Sequence, residues 1–296
     1  VKITGLNVNA DTAADGVFTP YTGTTNLGRE DRITAEAFAN RLIVCSQSAV
    51  PQVLTSTATA FADLGGSPPN GSLCGKHMGR FWIAGVDATP DLLSFSQAFT
   101  PTTWTGTGTG SLEIDSDDGD PEGITAIFPS FFGELYIAKR NAIYQIVGTT
   151  PGTFQVIPVV QGLGCINQNT VAKIHNDILF CSERGVHSLA ATLKGAITAE
   201  TFLSFPIQAL WESDVNLNRI GRMWGRYLSS INSYVLLYAG GSSNLPDKAF
   251  CYNIPLKSWC QWDTFDASSI IEITKTTQKQ ILVGRNDGII SILNPA

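Results

Sequence analysis

A short strand–turn–strand unit recurs six times along these 296 residues, and no other feature restricts the possible folds as strongly. The marker of each unit is a small or sulfur-bearing residue that closes an apolar run. Cys45 follows Leu42-Ile43-Val44, Ala84 follows Phe81-Trp82-Ile83, and Ala138 follows Leu135-Tyr136-Ile137. Cys181, Ala239 and Gly284 close Ile178-Leu179-Phe180, Leu236-Leu237-Tyr238 and Ile281-Leu282-Val283 in the same way. Five steps separate Cys45 from Gly284, about 48 residues each, a period that belongs to β-propeller blades. The turns repeat as well: Arg140-Asn141-Ala142-Ile143 parallels Glu183-Arg184-Gly185-Val186 and Asn286-Asp287-Gly288-Ile289.

The expected fold is therefore an all-β propeller of six blades, each with four antiparallel strands, in a single domain over residues 1–296. Blades are expected over Ile33–Gly66, Leu73–Ile114, Ile124–Val160, Val171–Phe205 and Arg226–Trp262, and from Ile270 to the end of the chain. The last shows only three clear strands, and an open edge would be exposed. The apolar alternation at Val1, Ile3, Leu6 and Val8 is expected to supply the missing strand and close the last blade. The recurrent small residues are attributed to crowding where blades converge. Helix is expected only at Pro206–Trp211, where Pro suits a first turn, with a further turn at Thr34–Ala39.

Composition agrees with many strands joined by tight turns. Hydrophobic residues make up 43% of the chain and charged ones 15%, the latter well below the usual quarter. The net charge of −6 provides no basic surface for nucleic acid, although it is compatible with a wall past which DNA slides. No apolar run nears the ~20 residues that span a bilayer. The chain opens on Val1, which points to processing or to a piece of a longer polypeptide. The six cysteines form no CxxC pair and no zinc spacing, and read as reduced thiols of a protein assembled in a cytosol.

Candidate chemistry is sparse. The acidic run Asp115-Ser116-Asp117-Asp118-Gly119-Asp120-Pro121-Glu122 could offer oxygen ligands to a hard cation. It lacks the glycine position and terminal Glu of an EF-hand loop, and Asp-Gly and Asp-Pro also punctuate ordinary turns. Cys74 and His77 have a ligand-like spacing without a second pair. His175 and His187 belong to one blade and could face each other. No nucleophile elbow is present, Gly106–Gly110 precedes no helix and is no phosphate cradle, and the arginine cluster and repeated turn box of sialidases are missing. Trp104, Trp211, Trp224, Trp259 and Trp262 lie near blade ends, suited to blade packing or to stacking on a ligand, whereas Trp82 lies within a strand. These residues predict no catalytic, cofactor-binding or metal site, and no cofactor.

Two stretches carry a family resemblance. One runs from Trp104-Thr105-Gly106 through Asp118-Gly119-Asp120-Pro121 to Gly133-Glu134-Leu135-Tyr136-Ile137-Ala138-Lys139-Arg140-Asn141-Ala142-Ile143-Tyr144. The other joins Gly162-Leu163-Gly164-Cys165 to Asn176-Asp177-Ile178-Leu179-Phe180-Cys181-Ser182-Glu183-Arg184-Gly185-Val186. Together they resemble propeller domains in tail proteins of double-stranded DNA bacteriophages: head-to-tail hub, packaged-DNA stabilisation and tail nozzle proteins. The resemblance is best over Arg80–Leu189. It implies a non-enzymatic virion component, made in the host cytoplasm and assembled as a homo-oligomeric ring. Other tail or connector proteins would be its partners, with DNA passing nearby and no membrane. The alternatives are a carbohydrate-binding propeller and, behind it, a glycosidase-like enzyme using Asp115–Glu122.

Overall fold

The computed structural model describes residues 2–4, 7–10, 19–20, 33–47, 49–55, 58, 60–114, 123–194, 202–275 and 278–293. The fold is a six-bladed β-propeller, built from antiparallel sheets that follow one another along the chain. The chain divides into two compact units, Val1–Val159 and Val160–Ala296.

The first unit holds three four-stranded blades. They are β4–β7 (Ile33–Phe38, Arg41–Ser46, Gln52–Thr55, Ala62–Asp63), β8–β11 (Leu73–His77, Arg80–Ala84, Leu92–Phe95, Gly110–Glu113) and β12–β15 (Ala126–Ile127, Leu135–Ala138, Ala142–Val147, Gln155–Gln161). In the second unit, blade four is β16–β18 (Ala172–Ile174, Asp177–Ser182, Gly185–Ser188). Where the fourth strand was expected, the described residues show a single bridge between His187 and Phe202. Blade five is β19–β22 (Trp224–Leu228, Ser233–Tyr238, Lys248–Asn253, Ser258–Trp262), and blade six is β23–β25 (Ser269–Lys275, Gln278–Gly284, Ile290–Leu293). First strands of consecutive blades pack together: β4 on β8 and β8 on β12 in the first unit, β16 on β19 and β19 on β23 in the second.

Two expectations need correction. Val1–Val8 is not one strand that closes blade six. Lys2–Thr4 (β1) turns back onto Asn7–Ala10 (β2), with Ile3 opposite Val8, and β2 pairs with Thr19–Pro20 (β3). These short strands thus form a sheet of their own, and blade six has three strands among the described residues. Thr34–Ala39 contains no helical turn: Ile33–Phe38 pairs residue for residue with Arg41–Ser46, and strand partners override the local preference. The helix at Pro206 is present as a short 3-10 turn, Phe205–Ile207, running into α2 (Gln208–Asp214). A further short helix, α1 (Leu189–Thr192), is capped by the Ser188 hydroxyl.

The marker residues fall where the spacing placed them, at one end of the second strand of each blade. Cys45, Ala84, Ala138 and Cys181 are wholly buried, and Ala239 almost so. There the chain entering a blade meets the second strand. The carbonyls of Ala138, Cys181, Ala239 and Gly284 accept the amides of Thr125, Ile166, Asn216 and Ser268 at 2.8–2.9 Å. A bulkier side chain would compete with that close approach. On the first strand of blade two, a Cβ at Gly75 would lie 2.6 Å from an Ile127 methyl carbon on blade three.

Candidate functional site

The acidic run Asp115, Asp117, Asp118 and Asp120 lies outside the described residues, but its roots do not. Ile114 N–H donates to the Asp91 carbonyl at 2.9 Å and Ile124 N–H to the Pro90 carbonyl at 3.0 Å. Beneath this root the wholly buried Lys139 ammonium reaches the Asp91 carboxylate at 2.7 Å. Among the described residues no group of three or more His, Cys, Asp or Glu could hold a metal ion.

Cys74 and His77 do not converge. Both lie on β8, where side chains three positions apart point to opposite faces. Cys74 packs with Cys45 in the core of blades one and two, while His77 Nδ1 meets Ser130 Oγ at 3.3 Å. His175 and His187 do not face each other either. His175 Nε2 meets the Tyr227 hydroxyl at 3.3 Å. His187 Nε2 meets Ser182 Oγ at 2.8 Å, and its ring is sandwiched by Phe180 and Phe202. Ser182 and His187 are both buried, so this pair braces a turn and presents no nucleophile to solvent.

The tryptophans pack the blades. Trp82 is wholly enclosed between Phe95 and Phe154, with ring centroids 4.9 and 5.4 Å away. Five indole N–H groups bond backbone carbonyls: Trp82 to His77, Trp104 to Pro101, Trp211 to Glu183, Trp224 to Ile270 and Trp259 to Leu203. The Thr-Gly run before β11 is fastened by the buried Arg80, whose guanidinium donates to the Gly108 and Ser96 carbonyls.

The densest polar network, which sequence reasoning missed, surrounds Asp214 at the end of α2. Its carboxylate accepts from Lys248 Nζ at 2.8 and 3.0 Å, from the Tyr238 hydroxyl at 2.7 Å and from Gln261 Nε2 at 2.8 Å. Burial pushes the Asp214 carboxyl up. The hydrogen bonds from Lys248, Tyr238 and Gln261, together with the Lys248 charge, outweigh burial and hold it below the usual carboxylate range. With its lone pairs taken by four donor contacts, Asp214 is a fastening for the Gly240–Asp247 loop and not a general base. Gly241 N–H also donates to the Asp214 carbonyl, at 2.6 Å.

Two solvent-facing tips stand out, the turn at Met78-Gly79 with Phe99 over it and the turn at Phe132-Gly133. Met78, Phe99 and Phe132 have left-handed φ values of 47, 58 and 49°, which cost a bulky residue on the order of 1 kcal/mol. Their side chains nevertheless face solvent, with Phe99 76% and Phe132 78% exposed. Phe99 N–H donates to the Gly79 carbonyl, and its ring covers Gly79 so closely that a Cβ there would sit 2.7 Å from it. Phe132 stacks beside Phe131 at 4.4 Å. Sequence reasoning missed these tips because such positions ordinarily favour Gly or Asn, and nothing in the local sequence marks Phe as left-handed.

No family model matches the chain, and no curated protein does. Among solved structures, it is similar to a chain described as the extracellular domain of a one-component system from Bacteroides thetaiotaomicron. The two share 10% identity with a TM-score of 0.52, over 91% of this chain and 33% of that one. This likeness supports the propeller fold and nothing finer. The chain spans about a third of that protein's length.

Proposed function

We propose that the chain is a non-enzymatic structural protein of a bacteriophage virion, a propeller platform in the tail or head–tail connector. Its partners are neighbouring tail proteins around the DNA channel. The resemblance over Arg80–Leu189 supplies the setting. The observation that carries the docking role is the exposure of Met78, Phe99 and Phe132: three large apolar side chains held in solvent, in backbone conformations that are costly to maintain. Strained, exposed apolar residues of this kind suit contact with another protein. The candidate catalytic groups favour the same reading, since each described one has a structural partner: His187 with Ser182, His175 with Tyr227, Asp214 with Lys248.

The test has two parts. Purified particles are examined for the chain by mass spectrometry, and a Phe99→Ser, Phe132→Ser variant is offered in complementation. The reading expects the wild-type chain in every particle and a variant that folds with an unchanged melting temperature but is not incorporated. Absence of the wild-type chain from particles overturns the virion assignment. Full incorporation of the variant overturns the docking role of these residues.

A further inference from the structure

The six cysteines fall into three close pairs, whose members lie 29, 16 and 9 residues apart in sequence. Cys45 and Cys74 share one core, and Cys165 and Cys181 are wholly buried neighbours. Cys251 on β21 lies directly opposite Cys260 on β22. The third pair differs in access. Cys251 is 5% exposed and faces the core shared with blade six, whereas Cys260 lies on the outermost strand and is exposed.

We propose that Cys251 and Cys260 are an oxidation site, a cross-strand thiol pair that closes to a disulfide by exchange with a low-molecular-weight disulfide such as glutathione disulfide. Directly opposed residues on paired strands place their Cβ atoms about 4.5–5.5 Å apart, and a disulfide spans about 3.5–4.5 Å. A small approach of the strands therefore closes the bond. The register is held by the tight turn between Asn253 and Ser258, where Leu256 N–H donates to Asn253 Oδ1 at 3.0 Å.

The chemistry balances without a metal or an enzyme. The exposed Cys260 thiolate attacks one sulfur of glutathione disulfide; that S–S bond breaks and one glutathione thiolate leaves. Cys251 releases its proton to solvent and attacks Cys260 Sγ, expelling the second glutathione. The protein loses two hydrogens, and glutathione disulfide becomes two thiols. Burial pushes the Cys251 thiol up to about 11, which suits it to the second, intramolecular step and not to first attack. The product ties the edge strand of blade five to its neighbour. The inference is independent of the docking role.

The test uses the reduced, folded chain incubated with glutathione disulfide, trapped with an alkylating agent and mapped by non-reducing mass spectrometry. A cross-linked peptide pair containing Cys251 and Cys260 is expected, with Cys45, Cys74, Cys165 and Cys181 alkylated only after denaturation. Cys251→Ala should stop at a mixed disulfide of Cys260 with glutathione, and Cys260→Ala should not react at all. Because the cross-link is read in the wild-type chain, a poorly folding variant does not blunt the test. Either a wild-type chain that stays fully reduced or one in which Cys260 rests as a stable glutathione adduct overturns the proposal.

Discussion

Residues 1–159 and 160–296 use the same blade repeat but fasten their blades differently. In the first unit the joint between blades two and three is an apolar core: Trp82, Phe95, Tyr144 and Phe154 pack with Leu93, Ile127 and Ile137. Among its described ion pairs, Lys76 and Glu36 stand at the rim at 2.8 Å, and the buried Lys139 reaches Asp91 at 2.7 Å. In the second unit directional bonds latch the blades. The Tyr234 hydroxyl donates to the Thr170 carbonyl at 2.7 Å, and Asn167 Nδ2 to the Gly221 and Met223 carbonyls. Glu272 on blade six accepts from Ser229 and Ser230 on blade five. Apolar burial is non-directional and tolerates adjustment, whereas a buried hydrogen bond demands its geometry and is costly when only one partner remains. The first unit should therefore be sensitive to lost volume, the second to lost geometry and charge.

The largest effect is expected from Trp82→Ala, which empties the apolar joint. A loss of about 4 kcal/mol should appear in the urea midpoint, with amide exchange rising first in blades two and three. A loss under about 1 kcal/mol would break the contrast. Next comes Gly225→Ala. A Cβ there would stand 2.2 Å from Tyr234 Oη and 2.9 Å from the Thr170 carbonyl oxygen, so the latch must open. About 3 kcal/mol is expected, against about 2 kcal/mol for Gly75→Ala, where the buried Ile127 must shift but no hydrogen bond is lost. Equal costs for these two glycines would show that the latch has no special role.

Asp214→Asn should cost about 2 kcal/mol and carries a pH signature. The folded Asp214 carboxyl titrates below its unfolded value, so its stabilisation is present at neutral pH and is lost as pH falls through the folded value. Glu272 behaves alike: burial raises it, but the Ser229 and Ser230 hydrogen bonds and the Lys279 charge hold it below its ordinary range. On acidification, amides around Gly240–Asp247 and Ser229–Ser230 should lose exchange protection, and Asp214→Asn should flatten the response near the former. An unchanged acid response in that variant would assign the pH dependence elsewhere. The smallest effect belongs to Glu36→Gln, about 0.5 kcal/mol or less, because Lys76 is more than half exposed. A cost above about 1 kcal/mol would make the rim pairs of the first unit structural after all.

Much of the architecture was legible before the structure. Continuous apolar runs such as Leu135–Ala138 and Tyr234–Tyr238, punctuated by turn residues, marked strands whose edges lie within a few residues of expectation. What failed were contacts between segments. Val1–Val8 looked able to complete blade six, yet it pairs with its own continuation, because alternation names a buried face and not a partner. His175 and His187 share a blade but bond away from each other, since the turn between β16 and β17 carries the first and strand β18 the second. The Met78, Phe99 and Phe132 tips escaped notice because left-handed backbone at a bulky residue is imposed by surrounding contacts.

The sequence by itself determined the six-fold repeat, the strand cores and the small marker residues, because alternation, turn chemistry and spacing are local properties that any window of the chain displays. Only the tertiary structure decided which groups meet: Asp214 with Lys248, Tyr234 with Thr170, Cys251 with Cys260. Those meetings depend on strand register and on how linkers enter each blade. Hydrogen bonds and thiol exchange act over a few ångströms, so a pairing across tens of residues has no counterpart in the pattern of either segment alone.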